Sequence, residues 1–388
     1  MIPYSRQNIG KDDIDAVVNV MKSDFLTQGP ITPVFEEKLT DYCGASYAVA
    51  SVNATSALHL ACMSLDIGAG DIVWTSTISF VASANCAKYC GAEIDLVDID
   101  PISYNMSIES LTSKLKLAKK KNRLPKAVIP VHLSGQSCNM KEIKNLSVEY
   151  GFKIIEDASH AFGGRYLDNQ IGSCKYSDIT VFSFHPVKII TSAEGGVCMT
   201  NDKDIYKKIY DLRSHGIVRN QSNSKKNQGP WYYEQIDLGY NYRLNDLQAA
   251  LGINQVKKVD LFVKQRNEVA EKYNELLKLN KNITIPKQSK DSYSSFHLYI
   301  IKTSNTVKYN RFNVFERLRS EGFYVNVHYI PIYHHPYYSK SFDKNDFPNS
   351  EEYYSKAISI PIYPGLQEKE IQRVVATIEK DMNFQNLF

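Results

Sequence analysis

Residues 178–201 read DITVFSFHPVKIITSAEGGVCMTN. Two apolar, β-branched runs, DITVFSF (178–184) and GVCMTN (196–201), flank a segment with a single lysine, Lys188, set among Val187, Ile189 and Ile190. A continuous apolar run bounded by turn residues reads as a strand buried on both faces. Five more such runs precede it: YAVASV (47–52), DIVWTST (71–77), EIDLVDID (93–100), KAVIPVH (126–132) and FKIIED (152–157). Helical stretches separate most of them. Seven strands alternating with helices predict an α/β fold, with a mostly parallel sheet covered on both sides.

Outside this region the pattern changes. Residues 11–23 space Ile14, Val17, Val18 and Met21 as one face of an amphipathic helix. Residues 214–231 are polar and rich in Gly, Asn and Ser, so they read as a long loop. Residues 243–279 read as one or two long helices. A smaller α+β unit follows, with strands at FHLYIIKT (296–303) and YVNVHY (324–329) and a helix near 310–321. A closing helix at 368–384 carries Ile371, Val374, Val375, Ile378 and Met382 on one face. The expected layout is a large domain over residues 1–250 and a small one over 251–388, with the N-terminal helix packed on one of them.

Composition narrows the partners. A chain of 388 residues suggests two or three domains. Its 46 basic and 42 acidic residues give a net charge of +4, too even for a nucleic-acid-binding surface. The start, MIPYSRQNIGKDD, lacks the apolar run of a signal peptide. The most apolar stretch, 47–67, is broken by Asn53, Thr55, Ser56 and His59, so no membrane span is expected. The cysteines Cys43, Cys62, Cys86, Cys90, Cys138, Cys174 and Cys198 fit no zinc or CxxC spacing and read as reduced thiols of a cytoplasmic protein.

In open α/β sheets the ligand sits outside the carboxyl ends of the strands. FKIIED ends in Asp157, followed by Ala158, Ser159 and His160; DITVFSF ends in Ser183, Phe184 and His185. Lys188 in its apolar setting would lose hydration, which lowers its pKa and makes it a nucleophile. Gly195 and Gly196 would let backbone approach a ligand. YAVASV runs into Asn53, Ala54, Thr55 and Ser56, where free N–H groups and hydroxyls at a helix start make an anion site. Each feature alone has a plainer reading: Asp157 and Asn53–Ser56 as helix caps, Lys188 as a lysine reaching for water. Together they supply what pyridoxal phosphate needs: an amine, a carboxylate for the pyridine nitrogen and a phosphate cup. No GxGxxG opens a helix after a strand, which disfavours a dinucleotide fold.

These segments resemble the DegT/DnrJ/EryC1/StrS family of sugar aminotransferases, which have the aspartate-aminotransferase fold. The resemblance also covers SDFLTQGP (23–30), STISFVASAN (76–85), EDASHAFGG (156–164), RSHGI (213–217), GYNYRLNDLQAALG (239–252) and HYIPIYHHPYY (328–338). It implies that Lys188 holds the cofactor covalently and moves the proton between C4′ and the amino carbon. Asp157 would pair with the pyridine nitrogen. His160 would lie by the ring O3′, where many relatives have Gln. Phe80 would stack on the ring, and Thr55, Ser56 and Ser183 would bind the phosphate. Asn241 would reach the phosphate of a neighbouring subunit's cofactor, implying a homodimer with shared sites. Tyr4, Phe25, Leu26, Thr27, Asn326, His328 and Tyr329 would contact the nucleotide sugar, and Arg219, Lys225 or Lys226 its diphosphate. Without the resemblance, Phe80 reads as a core residue, Asn241 and Arg243 as a cap on the helix starting near Leu244, and the 214–231 loop as solvated surface.

The implied reaction moves an amino group from glutamate to C4 of a UDP-linked 4-keto-6-deoxy-N-acetylhexosamine. The alternatives are another nucleotide-sugar C4 or C3 aminotransferase, of GDP-perosamine or dTDP-sugar type, or a non-catalytic regulator on the same fold. A dehydratase branch that replaces the lysine with histidine is disfavoured by Lys188. His334, His335, Tyr337 and Tyr338 show no carboxylate or cysteine at metal-binding spacing, so no metal is expected.

Overall fold

All seven expected strands form and lie in one sheet: β1 (Tyr47–Ser51), β2 (Ile72–Ser76), β3 (Glu93–Val97), β4 (Ala127–Ile129), β5 (Lys153–Asp157), β6 (Ile179–Ser183) and β7 (Gly196–Thr200). The computed structural model describes residues 1–219 and 229–380. The sheet order is β1-β7-β6-β5-β4-β2-β3. Only β7 runs antiparallel to its neighbours, so its first residue, Gly196, shares an edge with the carboxyl ends of the other strands.

Alternation along β6 shows how the sheet is covered. Val181 packs with Leu58, Cys62 and Ile209 on one face, and Phe182 packs with Phe35, Leu39 and Val263 on the other. The helices of the first face are α3 (Ala54–Ser64), α4 (Ala82–Tyr89) and α7 (Lys203–Leu212). The second face is covered by α2 (Ile31–Cys43), α5 (Ile108–Lys120), α6 (Met140–Tyr150), α8 (Asp246–Val256) and the start of α9 (Val259–Leu277). Several starts are fixed by side-chain caps. Asn53 Oδ1 accepts the Ser56 amide at 2.8 Å, and Asn245 Oδ1 accepts the Gln248 amide at 2.9 Å.

Beneath the centre of the sheet, the fully buried His132 contacts Glu156 at 2.7 Å. The Cys138 amide donates to His132 Nδ1, so the imidazole carries its proton on Nε2 and donates to the carboxylate. Ser177 and Thr180 hydroxyls also donate to Glu156. Desolvation pushes this carboxyl up, but the donors outweigh it and hold Glu156 below the usual carboxylate range. His132→Leu removes one donor from a buried charge next in sequence to Asp157. We expect it to cost about 3 kcal/mol in urea unfolding; a loss below roughly 1 kcal/mol would refute this reading of the network.

The C-terminal part builds a second core. A three-stranded antiparallel sheet, β8 (Ile283–Thr284), β9 (Tyr299–Thr303) and β10 (Ala357–Ile360), has β9 in the middle. It packs against α9, α10 (Arg311–Ser320) and the closing helix, Glu368–Glu379, through Tyr273, Leu318, Ile358, Val374 and Ile378. Ile2–Pro3 pairs with Phe323–Tyr324, which brings the N-terminus to this sheet's surroundings. Fully buried Arg266 of α9 donates to the carbonyls of Phe296, His297 and Ile362 and to Ser5 Oγ. Ser5 in turn donates to the carbonyl of Val187 at 2.9 Å. One guanidinium thus ties the N-terminal segment, the start of β9 and the lysine loop together.

Three expectations need correction. Helix α1 (Lys11–Met21) forms, but its apolar stripe faces outward: Ile14 is 55% and Met21 64% exposed. The buried residues are Asp13 and Val20, with Asp13 held by Lys258 at 2.7 Å and Gln255 at 3.1 Å, so α1 packs on α8 and its end. Of the strand expected at 324–329, only Phe323–Tyr324 is regular; Asn326 makes an isolated bridge to Ser359. The 214–231 loop opens with Ile217–Arg219, paired antiparallel with Tyr233–Gln235, while Lys225 and Lys226 lie outside the described residues. His334 Nε2 contacts Glu351 Oε1 at 2.6 Å, a single ion pair rather than a metal-ligand group. The closing helix buries Ile371, Val374, Val375 and Ile378; Met382 lies outside the described residues.

Candidate active site

The carboxyl ends of β1, β5 and β6 and the turn after β2 open onto a cavity of about 430 Å³. Tyr4, Thr55, Phe80, Asp157, His160, Ser183, Lys188, His328 and Tyr329 all line it. Two wider surface clefts, of about 700 and 930 Å³, carry none of the singled-out residues.

Lys188 is set by a short closed loop after β6. The Phe184 amide bonds the Gly195 carbonyl, the Ser192 amide and Thr191 hydroxyl bond the Phe184 carbonyl, and the Lys188 amide bonds the His185 carbonyl. Loss of hydration lowers the Lys188 ammonium to about 8, against the attraction of Asp157, which raises it. That is the behaviour of a nucleophilic amine rather than a surface lysine.

Asp157 is 5% exposed at the end of β5. The Ser83 hydroxyl of α4 donates to Oδ2 at 2.5 Å and the Ser159 amide donates to Oδ1 at 3.1 Å. These contacts orient the Asp157 side chain in the cavity wall. At the start of α3, Asn53 takes the Ser56 amide, while Asn53, Ala54 and Thr55 line the cavity. Gly196 lets this turn sit against β7: a Cβ there would lie 2.5 Å from the Asn53 and Ala54 backbone.

Three imidazoles form the opposite wall. The Ser134 amide donates to His160 Nδ1, so His160 carries its proton on Nε2 and donates to the Tyr329 hydroxyl at 2.9 Å. The His160 ring lies 4.4 Å from that of His297. Desolvation, reinforced by neighbouring positive groups, holds both well below the usual histidine range. Burial and then Lys188 push His328 down to about 3. Its Nδ1 contacts Ser359 Oγ at 2.8 Å. The wall is therefore neutral at physiological pH, and the lysine meets no cationic histidine. Phe80 stands at the rim, 57% exposed, with its ring 6.1 Å from Tyr329.

The other expected residues do not reach this cavity within one chain. The buried Ser56 lies in the first turn of α3. Asn326 is exposed and pairs through its backbone with Ser359. Phe25, Leu26 and Thr27 form exposed surface beside the start of α8, where the Leu26 carbonyl accepts the Asp246 amide and Thr27 bridges Asn245. Asn241 is exposed and bridges Ser214. Asn245, not Asn241 or Arg243, caps α8. Arg219 lies over the Tyr233 ring at 5.4 Å and does not line the cavity.

Sequence reasoning missed His297, Ser83 and Glu194. His297 reads as the leading residue of a strand, yet it is 1% exposed, lines the cavity and leaves Nδ1 without a hydrogen-bond partner. Ser83 sits in a helix with no local signal; only the fold brings it to Asp157. Glu194 reads as part of a glycine turn and lies 4.0 Å from His185.

The residues present fit pyridoxal phosphate. A desolvated amine, a buried oriented carboxylate and a glycine-backed helix start surround one cavity, the donor set that cofactor requires. The comparisons agree. Residues 7–379 match the DegT/DnrJ/EryC1/StrS aminotransferase family. The chain is 37% identical, over 97% of its length and 96% of the relative's, to a UDP-4-amino-4,6-dideoxy-N-acetyl-beta-L-altrosamine transaminase of Campylobacter jejuni. Its structure superposes on Helicobacter pylori PseC, an aminotransferase involved in pseudaminic acid biosynthesis, with a TM-score of 0.89. The identity is 30%, covering 97% of this chain and 98% of that one. Spr1654 of Streptococcus pneumoniae, solved in its PLP form, matches with a TM-score of 0.86 and 25% identity, covering 97% of each chain.

Proposed function

The chain belongs to the DegT/DnrJ/EryC1/StrS aminotransferase family and is a pyridoxal-phosphate-dependent sugar aminotransferase; we propose that it moves an amino group from glutamate to C4 of a UDP-linked 4-keto-6-deoxy-N-acetylhexosamine. The observation that carries the chemistry is the meeting of Lys188, Asp157 and the Asn53–Thr55 turn around one cavity. The substrate reading rests on the Campylobacter relative, whose name specifies an N-acetylated, 4-aminated, UDP-linked 6-deoxy sugar.

The bound cofactor supplies an aldehyde for amines and an electron sink that acidifies the C–H bond at the amino carbon. The chain supplies the rest. Lys188 Nζ would provide the amine that holds the cofactor and would carry the proton at that carbon. Asp157 holds the proton on the pyridine nitrogen, with Ser83 and Ser159 fixing its two oxygens. The amides of the α3 start and the Thr55 and Ser183 hydroxyls take the phosphate. Phe80, at the cavity rim, would cover one face of the ring and keep water from it. His160, its Nε2 proton on the Tyr329 hydroxyl, would stand beside the ring edge with Tyr329. Tyr4, His328 and Tyr329 give the sugar an uncharged wall of rings and hydroxyls.

In this reading the working unit is a homodimer. Asn241 and Phe25–Thr27 lie outside the chain's own cavity but close to the start of α8. The exposed Phe25 and Leu26 there, and the outward stripe of α1, supply apolar area for a second copy. A neighbour's Asn241 would then complete the phosphate site.

The test offers the holoenzyme, loaded with glutamate, a UDP-linked 4-keto-6-deoxy-N-acetylhexosamine beside GDP- and dTDP-linked 4-keto and 3-keto sugars. Amination confined to C4 of the UDP sugar supports the proposal. Preference for another nucleotide or carbon assigns the chain to a different substrate branch. A second expectation concerns pH. Covalent loading of apoenzyme needs the neutral Lys188 amine, so its rate should climb with pH and level off above about 8. At pH 6 it should be roughly 100-fold slower than on the plateau. A rate still rising at pH 10 would mean an ordinary, hydrated lysine.

A further inference from the structure

Val187 and Lys188 share one peptide bond, and both of its polar atoms are held. The N–H, on Lys188, donates to the His185 carbonyl at 2.9 Å. The carbonyl, on Val187, accepts the Ser5 hydroxyl at 2.9 Å. The first contact is local to the loop, whereas the second spans 182 residues of sequence. Ser5 is buried, and behind it stands the fully buried Arg266. Arg266 Nη2 donates to the Ser5 hydroxyl oxygen at 3.2 Å, while Nη1 is anchored on the carbonyls of Phe296, His297 and Ile362. A guanidinium only donates, so the Ser5 oxygen accepts from Arg266 and its one proton goes to Val187. The chain of contacts therefore runs in one direction, from α9 through Ser5 to the lysine's own peptide.

We propose that Ser5, its hydroxyl oriented by Arg266, is a positioning residue for Lys188, an inference that rests on Lys188 being the amine that holds the cofactor. A lysine amine ends a flexible carbon stem, so its own covalent frame does not confine Nζ. The region Nζ can reach is set by the plane of the peptide from which the side chain springs. With both polar atoms of that plane bonded, it cannot tilt without breaking a hydrogen bond away from water. Beyond the lysine, Ile189 and Ile190 pack in the same core as Phe35 and Phe182, which fixes the far side of the loop. Removing the Ser5 hydroxyl takes the donor from the Val187 carbonyl and this acceptor from Arg266 Nη2. The peptide is then free to turn, and a displacement of about 1 Å at Nζ is enough to slow a reaction that needs near-contact geometry.

The segment that carries Ser5 is itself tied down on both sides. Ile2–Pro3 pairs with Phe323–Tyr324, and the Tyr4 carbonyl accepts the Ile362 amide at 2.9 Å. The Tyr4 ring lies 4.9 Å from that of His328, and Tyr4 lines the cavity together with Val187 and Lys188. One residue of this segment thus faces the site, and the next holds the lysine's peptide. A plain anchoring role, in which Ser5 secures the N-terminal segment and nothing more, uses the same contacts. It differs in leaving the reactivity of Lys188 unchanged.

The experiment mixes apoenzyme with saturating pyridoxal phosphate, so that the rate reports bond formation rather than binding. Borohydride traps the product on the Lys188 peptide at timed intervals, in wild type, Ser5→Ala and Ser5→Thr. Trapping in Ser5→Ala should be roughly tenfold slower than in wild type, and Ser5→Thr, which keeps the hydroxyl, should recover most of the rate. Anchoring alone predicts a lower urea midpoint for Ser5→Ala with an unchanged trapping rate among folded molecules, and that result would overturn the proposal. Ser5→Cys, with a weak donor of similar size, decides the matter where Ser5→Ala does not fold: a slowed rate supports the proposal and a wild-type rate overturns it. Wild type that traps no cofactor on Lys188 would overturn the lysine assignment and this role with it, whereas equal trapping in wild type and Ser5→Ala would overturn the role of Ser5 alone.

Discussion

Lys188→Ala protein should fold, bind pyridoxal phosphate and turn over at least about 10³-fold more slowly than wild type. Two roles are lost at once. The amine that joins the cofactor aldehyde is gone, and so is the group that moves the proton at the amino carbon. The lysine is hard to replace from nearby. His160 spends both ring nitrogens on Ser134 and Tyr329, and His328 is held neutral down to about pH 3. The cofactor should still bind, because the α3 start and Asp157 do not depend on the lysine. Borohydride reduction followed by denaturation separates these points: wild type should retain the cofactor on the Lys188 peptide, and the variant should release it. A variant with turnover within tenfold of wild type would mean that another group carries the proton.

Asp157→Asn should lower kcat by on the order of 10²- to 10³-fold while leaving the fold intact. The amide keeps the size of the side chain and can still accept from Ser83 or Ser159. It cannot hold a proton on the pyridine nitrogen, so the ring loses its pull on electrons when the amino carbon gives up its proton. A structural role would predict the reverse: loss of stability in urea with kcat little changed among folded molecules. The comparison of Asp157→Asn with Ser83→Ala sharpens this. Removing Ser83 frees one carboxylate oxygen but keeps the charge, so its effect on kcat should be much smaller.

The sequence exposes some features and hides others for physical reasons. The seven strands are legible because each is buried on both faces, leaving near-continuous apolar runs such as ITVFS. The anion cup is legible because Asn53 caps a helix directly after a strand. The small sheet's core strand is legible for the same reason, but 324–329 is not regular, since Asn326 pairs at a single point with Ser359. Periodicity finds the apolar stripe of α1 but cannot say whether it faces inward. The burial of Asp13 depends on Gln255 and Lys258, more than 240 residues away. His297 is silent for a related cause. Its importance comes from the 4.4 Å approach of His160, made when the C-terminal sheet closes over the large one. Lys188, Asp157 and Phe80 fall together because each follows a strand end on one sheet edge, whereas Asn241 and Phe25–Thr27 fall on the surface, where a single chain gives them no cavity.

The central claim is that Lys188 presents the cofactor to an amino donor and then to a keto sugar within one cavity. The most direct test follows the near-visible absorbance of purified holoenzyme through two additions. Glutamate should abolish the band of the lysine-bound cofactor within one turnover, and the UDP-linked 4-keto sugar should then restore it in amounts matching the aminated product. A band that responds to neither addition, in protein that holds the cofactor on Lys188, would contradict the account.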